Sequence, residues 1–199
     1  MHNTLLEKIQ PAKFFASFKR QFDALMTNQA HVQAMFGGPT ERTEFMLEHV
    51  LRRVIQNDRL HFQREAVMRN DLVAWDIVPV PFRDPGGQYD GAELNQHVYC
   101  LPLFMHVIIE HENDDDACKE FWKLLHLYAP LKVLVCYRPP SWYLKWFRQM
   151  REWACAFHPR SVDDAYLVII GDKEAATPVD INWRCYELKA RQNVWTELR

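Results

Sequence analysis

Two glutamates separated by one residue close the apolar run at residues 107–113, Val-Ile-Ile-Glu-His-Glu-Asn. Alternate residues of an extended strand face the same way, so Glu110 and Glu112 share a face with Cα atoms roughly 6.6 Å apart. Carboxylates at that spacing can reach one or two divalent cations, because hard cations take oxygen ligands. A third acid, Asp71, opens a second run, at residues 71–82, that is rich in Val, Ile and Trp. If the two runs fold back on each other about a midpoint near residue 90, Asp71 falls beside Glu110 and three carboxylates converge. The same midpoint sets Asp76 opposite Met105, about five residues below the site. His106 shares the face of Glu110 and His111 points the other way. Both imidazoles read as packed or surface side chains rather than ligands, since neither joins an HExxH pattern.

The elements that must position these acids are legible in the hydrophobic pattern. Phe14, Phe15, Phe18, Phe22, Leu25 and Met26 recur at three- and four-residue intervals and predict an amphipathic helix over residues 12–28. Gly37, Gly38 and Pro39 break it. Thr40 is then the expected N-cap of a second helix, with Leu47, Val50, Leu51 and Val54 as its buried stripe and a stop near Asn57. Residues 60–67, 71–82 and 98–112 predict three strands, the last two joined as an antiparallel hairpin across a loop containing Asp-Pro-Gly-Gly. Pro79, Pro81 and Pro102 make pairing poorest near that loop. Asn113 is the expected cap of a helix whose first turn carries three aspartates and which Pro130 ends. A strand at 131–137, a helix from Ser141 to about Phe157, and strands at 165–170 and 181–188 complete the order. The fold class that follows is α/β, a central mixed sheet with an antiparallel hairpin, flanked by helices. The chain reads as one domain, 1–199, with N-terminal helices over 1–57, a core over 60–137, and a C-terminal helix and strands over 141–199.

An acid on one arm of a hairpin and Glu110-His111-Glu112 on the next resemble the PD-(D/E)XK nuclease superfamily, with Asp71 in Arg-Asn-Asp-Leu-Val as the first acid. The likeness covers residues 60–137, including the helix and strand that follow the hairpin. It implies a restriction-endonuclease-like core, Mg²⁺ or Mn²⁺ bound by Asp71 and Glu110 with help from the backbone carbonyl of His111, and hydrolysis of phosphodiester bonds, with DNA as the expected substrate. Glu112 stands where that family has lysine. Some restriction enzymes of the superfamily carry glutamate there, and Glu112 as a further ligand points to a two-metal arrangement. Glu65, or Glu44 and Glu48 on the second helix, could add a carboxylate, and Lys119 or Lys123 could replace the lost cation.

A nuclease must also neutralise phosphates, and Arg64, Arg69 and Arg138 flank the expected site while Lys145, Arg148 and Arg151 sit among tryptophans on a later helix. With a formal net charge of -2, any nucleic acid must be held by a local basic patch. Five scattered cysteines without a CxxC pair read as buried thiols in a reducing compartment. No apolar stretch is long enough to span a bilayer and no signal-peptide core opens the chain, so a cytoplasmic protein with no membrane partner is expected. Phosphate-binding loops, serine-nucleophile elbows and dinucleotide fingerprints are missing, which leaves the corresponding nucleotide-dependent and serine-hydrolase classes unsupported. The alternatives carried forward are a catalytically inactive nuclease-fold module binding nucleic acid or protein, and an acidic mimic of nucleic acid built on residues 114–116, which the small net charge disfavours. Cutting both strands of a duplex would call for a homodimer.

Overall fold

The phenylalanine stripe folds as α1 (Pro11–Leu25), with Pro11 in the first turn, where a missing N–H costs no helical bond. Phe14, Phe15, Phe18, Phe22 and Leu25 are all buried along it. The structure, a computed structural model, describes residues 10–57, 64–68, 71–77, 102–113, 117–127, 129–139, 141, 143–157, 165–172, 174–189 and 193–199. A short helix that the pattern did not announce follows, α2 (Gln29–Phe36), capped by the Asn28 side chain accepting from Ala30 N at 2.9 Å. Its only buried residue is Met35, so it carries no periodic stripe to read.

The expected second helix is a continuous course of three parts: α3 (Pro39–Phe45), a π-helical turn (Met46–Leu51) and α4 (Arg52–Asn57). Its N-cap is Gly38, not Thr40, because Pro39 supplies the fixed φ of the first helical position. The π turn keeps Met46, Leu47, Val50 and Leu51 all buried on the sheet side.

Seven strands form one sheet in the order of the sequence: β1 (Arg64–Met68), β2 (Asp71–Ile77), β3 (Pro102–Glu112), β4 (Leu131–Tyr137), β5 (Ala165–Gly171), β6 (Arg184–Lys189) and β7 (Val194–Leu198). Pairings β1–β2, β2–β3, β5–β6 and β6–β7 are antiparallel, and β3–β4 and β4–β5 are parallel. The parallel steps need crossovers, which α5 (Ala117–His126) and α6 (Tyr143–Phe157) supply. Two successive crossovers of one hand advancing in one direction leave both helices on the same face. They pack there with Ile108, Leu134, Cys136, Val168 and Ile170, while α1 to α4 cover Val107, Ile109, Val133, Val135 and Ile169 on the other. The mixed sheet flanked by helices is thus a three-layer α/β arrangement. No described helix is long and apolar enough to cross a membrane.

The hairpin register agrees with the symmetry argument at the site and departs from it below. Asp71 pairs with Glu110, Leu72 with Ile109 and Val73 with Ile108. An irregularity between Ala74 and Trp75 then moves the partner of Asp76 to Phe104 instead of Met105, and a second shift lies beside Pro102. Asn113 does not cap α5 as expected. Its side-chain amide donates to Pro39 O at 2.9 Å and to Thr43 Oγ1, so it ties the end of β3 to α3 in the opposite layer. Strand β7, at the edge opposite β1, was not foreseen. Only Trp195 and Leu198 along it are even half-buried, and its hairpin turns on Asn193 with φ 53°. Of the cysteines, Cys136 and Cys185 are buried as expected, but Cys155 is exposed; Cys100 lies outside the described residues.

Beneath α1 the core closes on Trp183, edge-on to Phe18 and Phe22 with ring centroids 4.9 and 5.1 Å apart. Gly171 admits this packing. A Cβ there would meet Trp183 Cζ3 and Tyr137 Cδ1, each at 2.9 Å. Gly171→Ala should therefore destabilise the fold by about 1–3 kcal/mol through overpacking, read as a lower urea midpoint with an unchanged slope; an unmoved midpoint would show that the rings yield freely.

Candidate functional site

Strand β3 is buried on both faces over its last six residues. Alternation sends Val107, Ile109 and His111 toward α1–α4, and Ile108, Glu110 and Glu112 toward α5 and α6. Glu110 is 2% and Glu112 8% exposed, so two carboxylates sit inside the layer interface at the carboxyl end of a central strand. Ends of this kind, outside the carboxyl termini of parallel strands, are where α/β sheets form ligand crevices.

A cation beside Glu110 comes from α5. Lys123 Nζ lies 3.9 Å from Glu110 Oε2 and forms an ion pair with Glu120, three residues earlier on the same helix. Lys123 itself is 48% exposed, so the pair spans the boundary between interior and solvent, where its strength falls between a screened surface pair and a dry one. Glu120 was not singled out in the sequence. The i, i+3 spacing to Lys123 was its available signal.

Around Glu112 the partners come from β4 and the segment after it. Cys136 is the register neighbour of Glu112. Its thiol is pushed up to about 12, chiefly by burial, with Arg138 opposing and Glu112 adding to the shift. Arg138 is 1% exposed, stands 4.7 Å above the Trp146 ring and donates from Nη1 to Tyr137 O at 2.7 Å. Arg138, expected to flank the carboxylates, is thus a buried cation that acts on Cys136, the register neighbour of Glu112. Lys145 and Arg148 are exposed on α6, where Arg148 pairs with Glu152 at 3.1 Å.

The remaining candidates separate by register and layer. Asp71 is directly opposite Glu110 and therefore on the same face of the sheet. Glu65 pairs with Ala74, three positions along β1 from the partner of Asp71, hence on the opposite face and roughly 10 Å away. Arg64 pairs with Trp75, on Asp71's face but further down the strand. Arg69 lies outside the described residues. Glu48 belongs to the helical layer on the other side of the sheet and forms an ion pair with Arg52. Glu48 is thus separated from the carboxylate pair by the sheet. Among the described side chains no three His, Cys, Asp or Glu gather to hold a metal ion, so a trio at this place depends on Asp71 through the backbone register.

The face behind the carboxylates holds a separate polar pair. His111 Nε2 and the Tyr137 hydroxyl are 3.3 Å apart and both residues are buried. The Arg42 guanidinium stands 5.3 Å from the Tyr137 ring centroid. Burial, aided by Arg42, holds the His111 imidazole down to about 3, and burial pushes the Tyr137 phenol above its usual range. Both groups are neutral near pH 7, and the His111 side chain is packed on the face that its parity assigned.

No protein-family model, curated protein or solved structure matches the chain.

His111 makes stability depend on pH. The folded chain binds its proton only near pH 3, whereas the unfolded chain binds it near the ordinary value of 6.5. The stabilisation is complete above the unfolded value and is lost as pH falls toward the folded one, with a slope of at most about 1.4 kcal/mol per pH unit. Urea unfolding at pH 7 and pH 5 should show this loss, and His111→Gln should flatten it; equal pH dependence in the variant would assign the effect to other groups.

Proposed function

We propose that the protein is a metal-dependent phosphodiester hydrolase of the nuclease type, acting on DNA. The observation that carries this reading is the Asp71–Glu110 pair, two acids directly opposed at the open end of an antiparallel hairpin, with Glu112 two residues on and on the same face. Buried carboxylates need compensation, and two of them beside a register-opposed third acid, with a lysine 3.9 Å from Glu110, form a donor set suited to a cation. Hairpin, helix and parallel strand follow one another over β2, β3, α5 and β4, the order that the resemblance to PD-(D/E)XK nucleases implies.

The donor set fits a hard cation. Carboxylate oxygens suit Mg²⁺ or Mn²⁺ better than soft metals, and Asp71, Glu110, Glu112 and the carbonyl of His111 would hold it. When bound, the ion supplies Lewis-acid polarisation of the phosphoryl group and a more acidic water. The chain's own side chains provide the rest. Glu112 accepts the proton of the attacking water, and Lys123, charged and half exposed beside Glu110, holds a non-bridging phosphate oxygen in line. In this reading Lys123 replaces, from α5, the cation that Glu112 displaces from β3.

A second reading has its own support. Lys123 already balances Glu110 and Glu120, which suits a nuclease-fold module that binds nucleic acid or protein without an ion. Calorimetry with Mn²⁺ separates the two: the hydrolase binds the ion and loses that binding in Asp71→Ala, whereas the inert module gives no heat.

On circular single-stranded DNA, Asp71→Ala and Glu110→Gln should each reduce Mn²⁺-dependent cleavage by roughly 10²-fold or more with an unchanged circular dichroism spectrum. Full activity in either variant would end the assignment. Lys123→Met should lower kcat with little change in Mn²⁺ affinity; a variant that only melts earlier and cleaves normally would reduce Lys123 to a structural cation.

A further inference from the structure

We propose that the outer surface of α5 is a docking strip for single-stranded nucleic acid, on which Trp122 stacks against an unpaired base beside the carboxylate site. The proposal rests on the hydrolase reading and deepens it by naming the form of its substrate. The solvent-facing residues of α5 are Lys119, Trp122, Lys123 and His126, with Leu127 just beyond its end. None is acidic, although acids outnumber bases in the whole chain. Within the described residues of α5 the one carboxylate, Glu120, is buried. A helix that keeps its cations outside and its acid inside complements a phosphate backbone.

Trp122 is 38% exposed and is held by two rings set steeply to it. Its centroid is 5.2 Å from that of Trp153 on α6 at 76°, and 5.2 Å from that of His126 at 67°. Bracing of this kind positions the indole before a ligand arrives, so little side-chain freedom is lost when a base stacks on it. Lys123 is adjacent in sequence and reaches Glu110. A strand stacked on Trp122 therefore presents its next phosphates toward the carboxylates. Bases within a duplex already stack on one another and offer no free face, so the strip selects unpaired nucleotides. A protein partner fits less well, since among the described residues the only other large apolar side chain exposed along this surface is Leu127.

Fluorescence anisotropy of a labelled oligothymidylate of about 16 nucleotides, in EDTA so that nothing is hydrolysed, reads this docking alone. Affinity should fall about tenfold in Trp122→Ala and return to within about twofold in Trp122→Phe. Lys119→Ala should lower the slope of log affinity against log salt by about 0.7. A blunt duplex should bind at least about tenfold more weakly. Equal affinity for the duplex, or an unchanged Kd in Trp122→Ala, overturns the proposal. The measurement needs no divalent ion, so its outcome is separate from cleavage. Binding that depends on Trp122 in a protein inert with Mn²⁺ keeps the strip and removes the hydrolase; Mn²⁺-dependent cleavage with binding indifferent to Trp122 does the reverse.

Discussion

Burial of β3 on both faces governs this molecule. A strand between two helical layers would ordinarily be apolar throughout, and β3 begins its buried course that way with Val107, Ile108 and Ile109. Its last residues then carry Glu110, His111 and Glu112 into the same low-dielectric surroundings. Charged and polar groups there must find compensation. The neighbouring elements supply it: Lys123 from α5 beside Glu110, and the Tyr137 hydroxyl from β4 beside His111. Arg138 follows β4 and acts electrostatically on Cys136, the register neighbour of Glu112.

The strict alternation of β3 divides this polar end into two chemistries. Toward α5 and α6 lie carboxylates, a lysine and a buried arginine, a charged environment open to solvent through Lys123. Toward α1–α4 lie a neutral imidazole and a phenol that burial keeps uncharged in the neutral range. The second group reads as scaffold, because Asn113, continuing from it, ties the strand end to Pro39 and Thr43 of α3. Rigid support on one face and charged groups that reach the solvent boundary on the other is the division of labour that a positioned site requires.

Much of this was readable in residue order, because periodicity is a backbone property. The stripe of α1, the apolar run of β4 and the opposition of Asp71 to Glu110 all follow from side-chain period and hairpin symmetry. The misses have equally physical causes. α2 buries one residue and so has no stripe, β7 is half exposed and so has no apolar run, and Thr40 yields to Gly38 because Pro39 initiates the helix. Asp76 slipped by one position because an irregularity adds a residue to β3, and such a local choice leaves no mark in composition.

The amino-acid sequence by itself determined which face each acid of β3 would occupy and which residue of β2 would lie across from Glu110. It could not determine what stands above that face. Lys123 reaches Glu110, Arg138 is buried against the Trp146 ring instead of turning toward solvent, and Glu48 falls in the helical layer on the other side of the sheet. Those outcomes depend on how α5 and α6 dock across the parallel strands. A strand's period sets direction within one element, whereas distance between elements is fixed only when side chains of both layers interlock to exclude water.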